Sequence, residues 1–209
     1  MSSLASLSQV RPMPTGIDRL GFPSYGHLPG GVPNPPSAWA EANELQMVRT
    51  LNARALQSPE AVHFTEYMTE HGGIDIWKDF AKQYRQTAGL AKGWAGTAMM
   101  WAAMGSATLR TQLAKNGYDR LRPYQVDPSI RTIGKLPKDA SYPSGHTSSA
   151  YAAATTLASL WPARAQEFMW WAKQVGTSRV HAGVHFPSDV NAGAQVGIRA
   201  GLAATSILR

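Results

Sequence analysis

The 209-residue chain contains no cysteine, which excludes a disulfide framework and thiolate chemistry. The same absence removes the usual indicator of compartment, because a cysteine-free chain tolerates either redox environment. Charge is also sparse. Charged residues make up 16% of the chain, with a formal net charge of +7 and a pI near 9.9. The excess is not gathered into a Lys/Arg run, and the aromatics do not interleave with basic residues as a strand-binding groove requires. Nucleic acid is therefore not the expected partner. A small anionic substrate fits the charge, and a solvated basic surface accounts for most of it.

Long hydrophobic runs are missing as well. Two uncharged stretches, Gly93 to Leu109 and Ala140 to Ala163, are diluted by Gly, Ala, Ser and Thr. Neither has the Leu/Ile/Val/Phe density of a helix facing lipid, so both read as buried helices and no transmembrane segment is expected. Met1 to Val10 has neither a positive start nor a continuous apolar stretch, so no secretory leader is read. The expectation is a soluble protein, cytoplasmic as the sequence stands, and periplasmic or secreted if a leader has been trimmed.

What is present divides the chain in two. Residues 1–37 hold seven of the 14 prolines and read as an extended arm, with Phe22, Tyr25 and Leu28 available to wrap the domain or a neighbouring subunit. Residues 38–209 read as one all-α domain, a compact bundle with no alternating pattern to suggest a sheet. Ser37 is placed as the cap of a helix running to about Leu56, with Trp39, Ala42, Leu45 and Val48 at helical spacing. Ser58-Pro59-Glu60 starts a second helix, ending near His71 before Gly72-Gly73. A third runs from Asp75 to about Thr87, and a long fourth from Leu90 to Lys115. Trp94, Met99, Met100, Trp101 and Met104 on that helix read as core rather than as a substrate stripe. Gly117 to Ser141 reads as irregular, broken by prolines. Further helices are expected from near Ser144 to before Pro162, from Pro162 to about Gln174, and from Pro187 to about Ser206.

Three stretches carry chemistry. Lys115 and Arg122 are seven apart, close to two helical turns, so one helix face is expected to present both cations. Tyr142-Pro143-Ser144-Gly145-His146-Thr147 places a helix start, whose backbone N–H groups favour an anion, beside a histidine able to donate a proton. Ser178-Arg179 is followed by His185 and, four residues on, by Asp189. A carboxylate at that spacing can fix a histidine tautomer, and arginine can clamp a phosphate through its planar fork. Together they supply three cations, an anion nest, two histidines and one orienting carboxylate. That inventory suits phosphoryl transfer without a metal, and histidine is a competent nucleophile for it.

The order K-x6-RP (Lys115 to Pro123), PSGH (Pro143 to His146) and SR-x5-H-x3-D (Ser178 to Asp189) resembles the tripartite signature of the type 2 phosphatidic acid phosphatase superfamily. That superfamily includes bacterial class A acid phosphatases and vanadium-dependent haloperoxidases. The resemblance extends through SYPSGHTSS and SRVHAGVHFPSDVNAG, covers roughly residues 80 to 200, and is nearest to the soluble class A enzymes. It implies His185 as nucleophile, Asp189 orienting its ring and His146 as general acid. It implies Lys115, Arg122, Ser144, Gly145 and Arg179 as phosphate binders. No metal or cofactor is expected, and the substrate is a small-molecule or lipid phosphate, a monoester or a diphosphate. Vanadate is expected as a phosphate mimic, or as a prosthetic group in the alternative reading of a haloperoxidase, which the short chain disfavours. The resemblance also points to a homo-oligomer. His181 and Asp139 are read as structural.

Overall fold

The structure, a computed structural model, describes residues 31–206. Eight α-helices follow one another among them: α1 (Ala38–Leu56), α2 (Pro59–His71), α3 (Asp75–Ala88), α4 (Leu90–Tyr118), α5 (Pro123–Val126), α6 (Gly145–Leu160), α7 (Ala165–His181) and α8 (Pro187–Thr205). A 3₁₀ turn at Pro162–Arg164 leads into α7. No strand occurs among the described residues, in line with the all-α expectation. Residues 1–30, and with them Phe22, Tyr25 and Leu28, lie outside the described residues. The end of the arm is tied down, because Tyr142 Oη donates to the Pro33 carbonyl at 2.7 Å and Tyr118 Oη to Asn34 Oδ1 at 3.0 Å.

Local chemistry sets several boundaries. Ser58 Oγ accepts from Ala61 N at 3.2 Å and Pro59 takes the first helical position, as its missing N–H permits. Ser37 occupies the cap of α1, but its side chain makes no capping bond. On α3, Ile76, Trp77, Phe80, Ala81 and Tyr84 are buried, a one-sided pattern at helical spacing.

Two helices run further than their sequences suggest. The fourth helix continues to Tyr118 and stops where Asp119 turns left-handed, at φ 42°. Arg122 is therefore off the helix that carries Lys115, and helical spacing is not what relates the two. The seventh helix starts after the 3₁₀ turn and passes Gln174 to end at His181. Gly176 in its interior costs about 1 kcal/mol relative to alanine. Burial outweighs this: Val175 and Gly176 are buried, and Val175 packs where a side chain on Gly72 would collide with it. The extension places Ser178, Arg179 and His181 on the last turn of α7.

The centre of the bundle is α6, in which every residue from Thr147 to Leu157 is buried. Its Ala, Ser and Thr side chains leave the backbone close to the helix surface, and α8 exploits this with Gly193, Gly197 and Gly201 at four-residue spacing. A Cβ on these glycines would lie 2.5, 2.3 and 2.7 Å from Ser144 O, Ser148 O and Thr155 Cβ. Glycine is required there for close approach rather than for flexibility. Larger side chains fill the far side, where Phe80 and Phe168 meet edge to face at 5.1 Å and Trp77 donates to the Gly72 carbonyl at 2.9 Å. The α6–α8 contact is what positions the site, since it carries the PSGH turn onto the start of α8. There Ser144 N donates to the Asp189 carbonyl at 2.9 Å.

Candidate active site

The site is built upward from Asp189, on the first turn of α8 and fully buried. Its Oδ2 accepts from Ser141 Oγ at 2.6 Å, from Phe186 N at 2.8 Å and from His185 Nδ1 at 3.2 Å. Its Oδ1 accepts from Arg120 Nη1 at 2.6 Å. Burial pushes this carboxyl upward, while Arg120, Ser141 and the Phe186 N–H pull against it. Four donors converging on two oxygens require acceptors, so the group serves as a carboxylate. Arg120 is itself held by Glu41 at 3.0 Å and Glu44 at 3.2 Å, both on α1, and its guanidinium stacks 4.0 Å over the Phe186 ring.

This foundation decides the state of His185. A carboxylate only accepts, so Nδ1 carries the proton and Nε2 presents its lone pair. Burial, with Arg122, Lys115, Arg179 and His146 adding to it, pushes the ring well below the ordinary histidine value and keeps it neutral. Nε2 meets Arg122 Nη1 at 3.1 Å.

The expected cations gather around that nitrogen, from different elements. Lys115 comes from the last turn of α4, Arg122 from the loop before α5, and Arg179 from the last turn of α7. All three are buried. Lys115 and Arg122 converge on Asp139, with Lys115 Nζ 3.3 Å from Oδ2 and Arg122 Nη2 2.8 Å from Oδ1. Arg179 donates to Thr69 Oγ1 at 2.7 Å, while its Nε is buried with no partner among the described residues. Burial, with Arg122 nearby, brings the Arg179 guanidinium down to about 10. Desolvation likewise lowers Lys115, against the pull of Asp139.

His146 sits on the first turn of α6. Its Nε2 lies 3.1 Å from the Thr69 carbonyl, which can only accept, so Nε2 carries a proton and Nδ1 is the nitrogen left for a ligand. Burial, reinforced by Arg179, pushes this ring down to about 3. Gly73 lets the ring lie close, since a Cβ there would be 3.2 Å from His146 Cδ2. Ser144 also has a local use. Its hydroxyl caps α6, facing Thr147 Oγ1 at 2.9 Å and Thr147 N at 3.5 Å. What this helix start offers an anion is the backbone N–H of Gly145 and His146, which have no partner within the helix.

A cleft of about 1000 Å³ opens at His146 and Arg179, lined by them together with Glu66, Thr69, Glu70, Gly134, Lys135, Leu136, Pro137 and Lys138. Tyr124, Tyr142 and the Trp/Met residues of α4 are not among its lining. Met100 and Met104 are core as expected, but Trp94 is 59% exposed and Trp101 36%, on the outer face of the bundle. His181 stands apart, its carbonyl held by Asn52 Nδ2 at 2.7 Å and its ring pushed down to about 4 by burial. The structure thus brings together His185, Asp189, His146, Lys115, Arg122, Arg179 and Gly145, with the Ser144 hydroxyl at the cap of α6. Sequence reasoning missed Arg120, Thr69 and Ser141. Arg120 lies inside what reads as a six-residue spacer, Ser141 lies just outside the PSGH turn, and nothing local marks Thr69.

Comparison with known proteins bears on the family and the fold. A non-specific acid phosphatase of Salmonella typhi is 42% identical over 91 residues, which is 42% of this chain and 36% of that protein. The matched part therefore spans about a third of the length of such relatives, 36% in the Providencia stuartii acid phosphatase as well. A bacterial vanadium-dependent iodoperoxidase superposes with a TM-score of 0.72 at 18% identity, over 86% of this chain and 53% of that one. LpxE of Aquifex aeolicus superposes at 0.63 with 23% identity, over 78% and 94% of the two chains. At such identities the likeness is one of fold. No helix among the described residues is long and apolar enough to cross a membrane. The family model of the PAP2 superfamily matches residues 95–209, which include all three motifs. More than half of the chain falls within that match, and the protein belongs to the PAP2 superfamily.

Proposed function

We propose that the protein is a metal-independent phosphatase that hydrolyses phosphomonoesters through a covalent phosphohistidine. The observation that carries this reading is the pairing of a neutral, Asp189-held His185, whose Nε2 lone pair meets Arg122, with three buried cations whose charges act on its ring. Arg122, Lys115 and Arg179, with the backbone N–H groups of Gly145 and His146, hold the phosphoryl oxygens. Nε2 then shifts from Arg122 to phosphorus and forms the N–P bond as the P–O bond to the alcohol breaks. The leaving oxygen takes its proton from His146 Nδ1. Water next attacks phosphorus, gives its proton to His146 and releases phosphate and free His185. Burial and Arg179 hold His146 near 3, so its ring is neutral. The arriving phosphate dianion offsets those cations and raises it, so the proton arrives with the substrate. Activity then falls as pH rises through that liganded value, which gives an acid-leaning profile.

Acid phosphatase relatives support the reaction class. The cleft walls carry charged side chains beside Leu136 and Pro137, and a turnover panel across small polar esters, prenyl phosphates and lipid phosphates separates these substrate classes. Replacing His185 by alanine is expected to lower turnover of p-nitrophenyl phosphate by at least about 10⁴-fold. Circular dichroism is expected to stay unchanged, and full activity in that variant would defeat the assignment. The alternative, in which the same cations hold vanadate for halide oxidation, draws on the iodoperoxidase likeness in fold. Peroxide-dependent halide oxidation after vanadate loading, without phosphatase activity, would favour it.

A further inference from the structure

Asp139 is the residue that the proposed mechanism leaves unused, and it stands where the substrate must go. Its carboxylate bridges the two cations, at 2.8 Å from Arg122 and 3.3 Å from Lys115. The cations are buried and the carboxylate is not: the side chains of Arg122 and Lys115 are 2% and 4% exposed, and that of Asp139 is 45% exposed.

A guanidinium has five N–H groups. In Arg122, Nε donates to the Asp139 carbonyl, Nη1 to the Val184 carbonyl and His185 Nε2, and Nη2 to Asp139 Oδ1 and the Ala140 carbonyl. All five are engaged before any substrate arrives. A phosphoryl oxygen can gain Arg122 only by displacing a partner. Three of those partners are backbone carbonyls, held with their loops. The remaining two are His185 Nε2, which leaves to attack, and the Asp139 carboxylate.

Resting on the phosphatase reading, we propose that Asp139 is an internal competitor for the phosphate site, an affinity-setting carboxylate that each incoming phosphoryl group must displace. Its backbone remains anchored as it does so, through Arg122 Nε at 2.9 Å on its carbonyl and through Ser141 N, which donates to the Arg120 carbonyl at 2.8 Å. Its side chain is 45% exposed, so rotation toward solvent is sufficient. Partial burial works against ionisation, but Lys115 and Arg122 hold the carboxyl below its ordinary range. The competition therefore persists into acid rather than fading there. The consequence is weakened binding of both substrate and product phosphate, which speeds release after hydrolysis.

The test is calorimetric titration of the full chain with orthophosphate, as wild type, Asp139→Asn and Asp139→Ala. Both variants are expected to bind phosphate at least about tenfold more tightly, as loss of one adjacent like charge allows. KM for p-nitrophenyl phosphate and the inhibition constant for phosphate are expected to fall with it. Phosphate is also expected to raise the Tm of Asp139→Ala more than that of wild type. A residue that merely braced the cations would give the opposite sign, so unchanged or weaker phosphate binding in folded variants overturns the proposal. If wild type turns over esters and the variants bind no better, this inference alone fails. If none of the three proteins binds phosphate, the phosphatase reading fails with it.

Discussion

Arg120 and Arg179 are both buried at the site, 8% and 1% exposed, yet their guanidinium groups stand in opposite circumstances. Arg120 lies beneath His185, with Asp189, Glu41, Glu44 and Ser188 around it and the Phe186 ring below. Arg179 lies on the cleft side, with Thr69 Oγ1 on one nitrogen and a buried Nε that has no partner among the described residues. A buried charge without compensation is expensive, so a fold retains one only where something else completes it. The lower layer is closed by the protein's own carboxylates and serves as foundation. The upper layer is left short of anions, and among the described residues its Lys115–Arg122 pair meets one only in the half-exposed Asp139. This shortage is what a phosphoryl group would fill.

The comparison breaks most readily if the two arginines are exchanged for methionine. Removing Arg120 strands Asp189, and we expect a loss of about 3–5 kcal/mol in denaturant unfolding at neutral pH. Removing Arg179 is expected to change stability by less than about 1 kcal/mol, or to raise it, while turnover falls on the order of 10²–10³-fold. Equal stability losses would erase the distinction between the layers.

The histidines sharpen the same contrast. His146→Ala removes the proton donor but not the nucleophile, so its effect depends on the leaving group. In kcat/KM, which excludes the later water attack that His146 also serves, alkyl phosphates are expected to slow by about 10²–10⁴-fold, and p-nitrophenyl phosphate, whose phenolate leaves without help, by much less. An equal loss on both esters would reassign His146 to binding alone.

The smallest effect concerns His181, which belongs to neither layer. Burial brings it from 6.5 to about 4 in the folded state. The folded value lies below the unfolded one, so the unfolded chain takes up the proton first as pH falls. The stability this represents is complete above pH 6.5 and is lost between 6.5 and about 4, by about 3 kcal/mol. His146 acts in the same sense, and bound phosphate is expected to cancel its share. Denaturant unfolding of His181→Leu at pH 7 and pH 4.5 is expected to show a shallower pH dependence than wild type. An unchanged slope would assign the acid sensitivity elsewhere.

Much of this was legible in the residues themselves. The all-α class followed from helical spacing and capping signals such as Ser58-Pro59-Glu60, because these depend on local backbone chemistry. The His185–Asp189 spacing is likewise local, since one turn of chain brings the two together. The sequence also carried the three motifs that mark the superfamily. Other features were decided by distant packing. The run of α7 to His181 depended on burial around Val175, which local propensity does not contain. The meeting of Lys115 with Arg122 arose through Asp139 and a loop, not through helical periodicity. The Ser144 hydroxyl turned to cap α6, because the buried start of that helix needed an acceptor for Thr147 N. Arg120 was invisible for the same reason that it matters: its partners on α1 are about 80 residues away in sequence. Sequence by itself determined which side chains are available and the local turns that carry them. Only the tertiary structure, by bringing glycines of α8 against the backbone of α6, decided which charges would be paired and which left for a ligand.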